Sequence, residues 1–211
     1  MFHRDELDLL EDEIEDLQKK FPREGDSAHV ESLVLQEQID TEDASDATLS
    51  IKLGLATLDG VSLTEGDERI ALEDSYMEIS AGSELFRKHP LYQRARRWCM
   101  HVRAYAKRGY DLHAQQEQAF FRAYVNSHTV PVKVFTGLCE ESFTDVVGLE
   151  VAEEEFNLAL TYVGRILESL SMAVLSADDF DYLSKVRVEG EELRAILIGK
   201  ISEIRRRKQS V

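Results

Sequence analysis

The sequence predicts a mostly α-helical fold, an antiparallel helical bundle with a less regular N-terminal segment. Three observations carry that expectation. Apolar residues recur at alternating spacings of three and four along most of the chain, the signature of one buried helix face. Hydrophobic residues make up 43% and charged residues 31% of the 211, enough apolar material for one good core. No internal repeat occurs at the periods that build solenoids.

The first element is the most regular. Leu7, Leu10, Ile14, Leu17 and Phe21 share one helix face, and most residues from Asp5 to Asp16 around them are acidic. Lys19 and Lys20 complement the helix dipole in the last turn, and Pro22 ends the run. Residues 1–22 are therefore expected to form an acidic amphipathic helix whose stripe docks on the body of the protein or on a partner.

Residues 23–86 read as an irregular acidic segment, with a loop from Asp40 to Asp46. Leu49, Ile51, Leu53 and Leu55 alternate with polar or small residues at the strand period. Asp46-Ala47 also opens, and Asp59-Gly60 also closes, a short helix over 46–58, which is the preferred reading. Val61 to Leu72, around Glu65-Gly66-Asp67, fits a small β-hairpin near 61–72.

Helical periodicity returns at Pro90, a residue suited to the first helical position. Leu91, Ala95, Trp98, Val102 and Tyr105 follow on one stripe, Gly109 can bend the run, and Leu112 to Tyr124 continues it. Val130-Pro131 reads as a break, followed by a short helix over 132–143 carrying Phe135, Leu138 and Cys139. Ala152, Phe156, Ala159, Val163, Ile166, Leu170 and Ala173, widened by Leu160 and Leu167, mark a central core helix. Ala177-Asp178-Asp179 supplies a turn and an N-cap. The last helix runs on Leu183, Val186, Gly190, Leu193, Leu197, Ile201 and Ile204. Gly190 on that stripe permits close helix approach at roughly 1 kcal/mol of helix propensity. The chain reads as one domain over 1–211, with the bundle core at 87–207.

Charge is segregated along this order. Residues 87–133 carry 10 basic and 2 acidic side chains, inside a chain of net charge −16. The same belt holds Tyr92, Trp98, Tyr105, Tyr110, Phe120, Phe121 and Tyr124, and Arg205 to Lys208 add a basic tail. The overall charge disfavours indiscriminate nucleic-acid binding by the whole surface. The belt by itself offers cations for phosphates and rings for base stacking. On the helix from Pro90, Arg96, Arg103 and Lys107 lie about 120–160° from the apolar stripe on one flank. Arg94, Arg97, His101 and Arg108 lie about 60–120° away on the other. Trp98 and Tyr105 stand on the stripe itself, which marks them as core. Ion pairing with acidic neighbouring helices is the competing use of the belt.

Other chemistry is thinly supported. His113 and Glu117 stand one turn apart, but no Glu-x-x-His pair of the kind di-iron bundles use occurs in the chain. Cys99 and Cys139 sit among apolar residues and read as small buried hydrophobes, without a glycine-rich elbow beside them. No metal and no cofactor are expected. The acidic N-terminus lacks an apolar leader and no window reaches the length of a membrane span, so a cytoplasmic protein with no membrane partner is expected.

Two short stretches carry family resemblances. Arg96-Arg97-Trp98-Cys99-Met100-His101 resembles the Arg-x4-His motif of the HEPN ribonucleases, with Arg97 where that family usually has a polar residue. The spacing repeats at Arg108 and His113, and Arg122 with His128 is its x5 variant. The resemblance implies metal-independent RNA cleavage, with Arg96 holding the scissile phosphate and His101 moving a proton. Glu155-Phe156 through Leu167 to Asp179-Phe180 resembles a helix and turn of translin, an all-helical family that binds single-stranded nucleic acid. Asp178 stands where that family has glycine.

The leading expectation is a non-enzymatic interaction or regulatory protein acting through protein–protein contacts. It self-associates or binds a partner protein through Leu7, Leu10, Ile14, Leu17 and Phe21. The alternative is a single-stranded RNA- or DNA-binding helical bundle, extending to a HEPN-like ribonuclease. Its anion-binding residues are Arg94, Arg96, Arg97, Arg103, Lys107 and Arg108, and its catalytic candidates are Arg96 and His101.

Overall fold

The computed structural model describes residues 26–54, 85–112, 117–143, 145–172 and 180–210. They form five long helices: α1 (Asp26–Lys52), α2 (Pro90–Leu112), α3 (Glu117–Glu141), α4 (Val146–Met172) and α5 (Phe180–Lys208). No strand occurs among the described residues, and the helical-bundle reading holds. The proposed helix 1–22 and the hairpin near 61–72 lie outside them.

The stripes read from the sequence are the core. Leu183, Val186, Gly190, Leu193, Leu197, Ile201 and Ile204 are all buried on α5. On α4, Ala152, Phe156, Ala159, Val163, Ile166 and Leu170 are buried too. α3 and α4 share the most extensive contact, α2 packs on α3, and α5 closes against α4 and α2. Pro90 starts α2 as expected, and His89 Nδ1 accepts a hydrogen bond from the Leu91 N–H at 3.2 Å. Asp145 caps α4 by accepting from the Gly148 N–H at 2.6 Å.

Three local expectations are overturned. The stretch read as irregular, with a loop over 40–46, is helical from Asp26 to Lys52. It ends at Gly54, whose φ of 70° is the left-handed stop that glycine allows. The break expected at Val130-Pro131 does not occur, and α3 runs through Pro131. An interior proline costs about 3 kcal/mol, which burial of Val125, Val130, Val132, Val134 and Leu138 along the helix offsets. Cys139, expected to be buried, is partly exposed, whereas Cys99 is fully buried.

Trp98 fixes how α2 meets α5. Its ring is buried and its Nε1 donates to the Val186 carbonyl at 2.8 Å. A methyl at Gly190 would stand 2.6 Å from Trp98 Cζ2 and 2.8 Å from Leu167 Cδ2. Gly190→Ala is therefore expected to lower stability by about 1–3 kcal/mol through overpacking, although alanine is the better helix former. Urea unfolding checks this, and a stabilised variant would show the approach is looser than described.

Candidate functional site

The belt divides according to what each cation faces. On the α5 side, Arg94 pairs with Glu192, and His101 Nδ1 lies 3.3 Å from Glu189. The Tyr182 hydroxyl also donates to the His101 carbonyl at 3.2 Å. Arg97 lines the neighbouring groove of about 770 Å³ with Trp98, Glu189, Glu192 and Ile196. On the opposite flank, Arg103 is half-buried, while Arg96 and Lys107 are exposed. Among the described residues, Arg96, Arg97 and Lys107 carry no ion pair. Arg108 lies over the Tyr105 ring, 5.8 Å from its centroid.

The belt's rings do not reach solvent. Tyr92, Trp98, Tyr105, Tyr110, Phe120, Phe121 and Tyr124 are all buried in the core. None of the seven is available for base stacking, whatever the composition suggested. The structure also separates Arg96 from His101: five residues along one helix set them about 140° apart, His101 toward Glu189 and Arg96 toward solvent. Arg122 and His128 part in the same way. Arg122 bonds Glu37 and Glu168, whereas His128 is packed on the Tyr124 ring at 4.9 Å. His113, the histidine of the other Arg-x4-His spacing, lies outside the described residues, as do Leu7, Leu10, Ile14, Leu17 and Phe21.

A second charged region, which the sequence did not disclose, lies under α1. Glu31, Val34, Gln38, Thr41, Ser45 and Leu49 recur at spacings of three and four on its inner face, flanked by Glu37 and Glu42. Among the described side chains of α1, Val34 is the sole buried hydrophobic one. Leu35 is partly buried and packs against the core, and most of the remaining seam is polar. Arg122 on α3 donates to both Glu37 oxygens at 2.9 and 2.7 Å and to Glu168 at 2.7 Å. Arg165 on α4 approaches Glu37 at 3.3 Å and donates to Thr41 at 2.6 Å. Lys133 reaches Glu42 at 2.6 Å and Glu155 at 3.5 Å, and the Tyr162 hydroxyl donates to Glu42 at 2.5 Å. Gln38 donates to Thr129 at 2.6 Å, Tyr110 to Glu31, and Ser45 to Glu154 at 2.9 Å.

Three residues of the C-terminal tail are likewise paired with glutamates of the bundle, while Arg206 is exposed. Arg205 pairs with Glu153 at 2.7 Å, Lys208 with Glu150 at 2.7 Å and Glu153 at 2.5 Å, and Arg207 with Glu141. Burial alone would raise the Glu153 carboxyl, but hydrogen bonds from Lys208 and Arg205 hold it below the usual carboxylate range. Glu153 is buried with its charge answered.

Among the described residues, no cluster of three His, Cys, Asp or Glu is placed to hold a metal ion, and no helix is long and apolar enough to cross a membrane. No family model, curated protein or solved structure matches this chain. The functional reading therefore rests on the chain's own geometry.

Two buried groups give stability opposite pH dependences. Burial, with Glu42 and Glu140 nearby and against the opposing pull of Lys133, pushes Glu155 up to about 7 from 4.5. Its share of stability is present below about 4.5 and lost as pH rises through about 7. Burial and the Arg103 charge push His128 down to about 3 from 6.5. Its share is present above about 6.5 and lost as pH falls toward about 3. The slopes oppose each other where the windows overlap. Glu155→Gln removes the first, so its urea midpoint is expected to fall more steeply than that of wild type between about pH 7 and about pH 5. Superimposable profiles would contradict this placement of Glu155.

Proposed function

We propose that this chain is a non-enzymatic interaction protein that works by charge-matched docking of helices, and that it self-associates. The observation that carries this reading is the state of the belt. Its aromatic side chains are in the core, Arg94 and His101 face glutamates of α5, and Arg96, Arg97 and Lys107 remain outside with no ion pair among the described residues. Arg97 stands beside Glu189 and Glu192, Arg96 and Lys107 stand on the opposite flank of α2, and together they leave the outward side of that helix cationic for an acidic helix to meet. A single-stranded nucleic acid would find no rings to stack on beside these cations.

The acidic segment 1–22, with Leu7, Leu10, Ile14, Leu17 and Phe21 at helical spacing, is an element of the complementary kind. Its contact with Arg96, Arg97 and Lys107 of a second copy would join an apolar stripe to a cationic rim. The competing reading is single-stranded RNA or DNA binding through the same three cations.

Sedimentation equilibrium of the full chain separates the two. Removal of residues 1–21, or the triple change Arg96→Glu, Arg97→Glu and Lys107→Glu, is expected to weaken self-association by about tenfold or more, equivalent to about 1.4 kcal/mol. Added salt is expected to weaken it too. If neither variant changes the oligomeric state, the proposal fails. Retention of the wild-type chain on single-stranded RNA, with affinity falling steeply as salt rises, would favour the competing reading.

A further inference from the structure

α1 is held in an unusual way for a helix of its length. Most helices are fixed by an apolar stripe, but α1, among its described side chains, buries Val34, packs a partly buried Leu35 on the core, and otherwise presents Glu31, Glu37, Gln38, Thr41, Glu42 and Ser45 to its neighbours. What it covers is a row of cations on α3 and α4, namely Arg122, Lys133 and Arg165. The fit is also incomplete. A groove of about 530 Å³ remains open beside the Glu37–Arg122 pair, lined by Leu33, Val34, Ala119 and Met172.

We propose that α1 exchanges between two copies of this chain, each placing its α1 in the cationic groove between α3 and α4 of the other. Charge complementarity supplies the recognition, and a second copy carries the same acidic face by identity. The chain between Gly54 and Leu85, residues 55–84, has a contour of roughly 100 Å at most, long enough to reach a neighbouring molecule. Because the described seam is mostly polar, the apolar side chains that α1 uncovers on leaving it are few, chiefly Val34 and Leu35. A tethered α1 competes for its own groove at an effective concentration on the order of millimolar, so the wild-type chain exchanges appreciably as its own concentration approaches that range. The exchange rests on neither residues 1–22 nor Arg96, Arg97 and Lys107, so it and the contact proposed above can fail separately.

Charge reversal makes the exchange observable at low concentration. Glu37→Arg sets an arginine against Arg122 and Arg165, and Arg122→Glu sets a glutamate against Glu37 and Glu168. Each variant is mismatched within its own chain. When the two are mixed, an exchanged heterodimer restores both seams: Glu37 meets Arg122 in one, and the introduced pair meets in the other. For readout, Gln38→Cys is added to the Glu37→Arg chain and Thr129→Cys to the Arg122→Glu chain, because Gln38 and Thr129 are hydrogen-bonded across the seam at 2.6 Å.

The mixture is expected to yield a disulfide-linked species of twice the chain mass on a non-reducing gel, at least tenfold more than either chain alone. Absence of that species, with both chains keeping wild-type helical circular dichroism, overturns the proposal. If either variant loses its helical signal, the cysteine pair is placed in one otherwise wild-type chain and oxidised at increasing protein concentration. An interchain fraction that rises toward the millimolar range supports exchange, and purely intrachain disulfide throughout overturns it.

Discussion

The contact on which the outer surface depends is the burial of Trp98 between α2, α4 and α5. Gly190 leaves room for the indole beside Leu167, and the Val186 carbonyl satisfies its N–H. A buried indole without an acceptor would be costly, so packing and hydrogen bonding together select one rotational setting of α2. That setting turns Arg94 and His101 toward the glutamates of α5 and Arg96 and Lys107 toward solvent. The division of the belt into cations that face glutamates and cations that face solvent thus follows from a core contact.

The same chain uses charge in a second way under α1 and along the C-terminal tail. Taking ions out of water is expensive, and attraction in the low-dielectric seam compensates only when the geometry is good and the remaining donors find partners. Arg122 meets that condition with three bonds to two carboxylates. Burial by itself would lower its guanidinium pKa, but the hydrogen bonds it donates to Glu37 and Glu168, with their negative charges, raise it above the ordinary value. Such pairs add modest stability but strong selectivity, since a like charge in the same place is repelled. A helix docked in this manner is specified by its charge pattern more than by its apolar area.

That difference explains what could be read in advance. α2, α4 and α5 carry apolar stripes such as Leu91–Ala95–Trp98 and Leu193–Leu197–Ile201, and every one of those residues is buried. The inner face of α1 recurs at the same spacings but is built from Glu31, Gln38, Thr41 and Ser45, which in sequence cannot be told from a solvent-facing surface. Pro131 misled for the opposite reason. Its local cost is real, but the valines around it are buried, and tertiary packing outweighs a local preference. Among the site residues, the cations of the belt were legible by composition. The meeting of Glu37, Glu42, Glu155, Tyr162 and Arg165 with one another and with the belt's own Lys133 was not, because it joins α1, α3 and α4, helices that are separate in the chain.

Local periodicity and charge order are properties of neighbouring residues, and the sequence by itself therefore determined the helical class, the stripes that form the core and the segregation of charge. Which charges are answered depends on which helix faces meet. That is set by long-range packing, in this chain by the Trp98–Gly190 approach and by the fit of α1 over Arg122, Lys133 and Arg165. Only the tertiary structure could turn a basic, aromatic-rich belt into buried rings, internal ion pairs and outward cations such as Arg96 and Lys107.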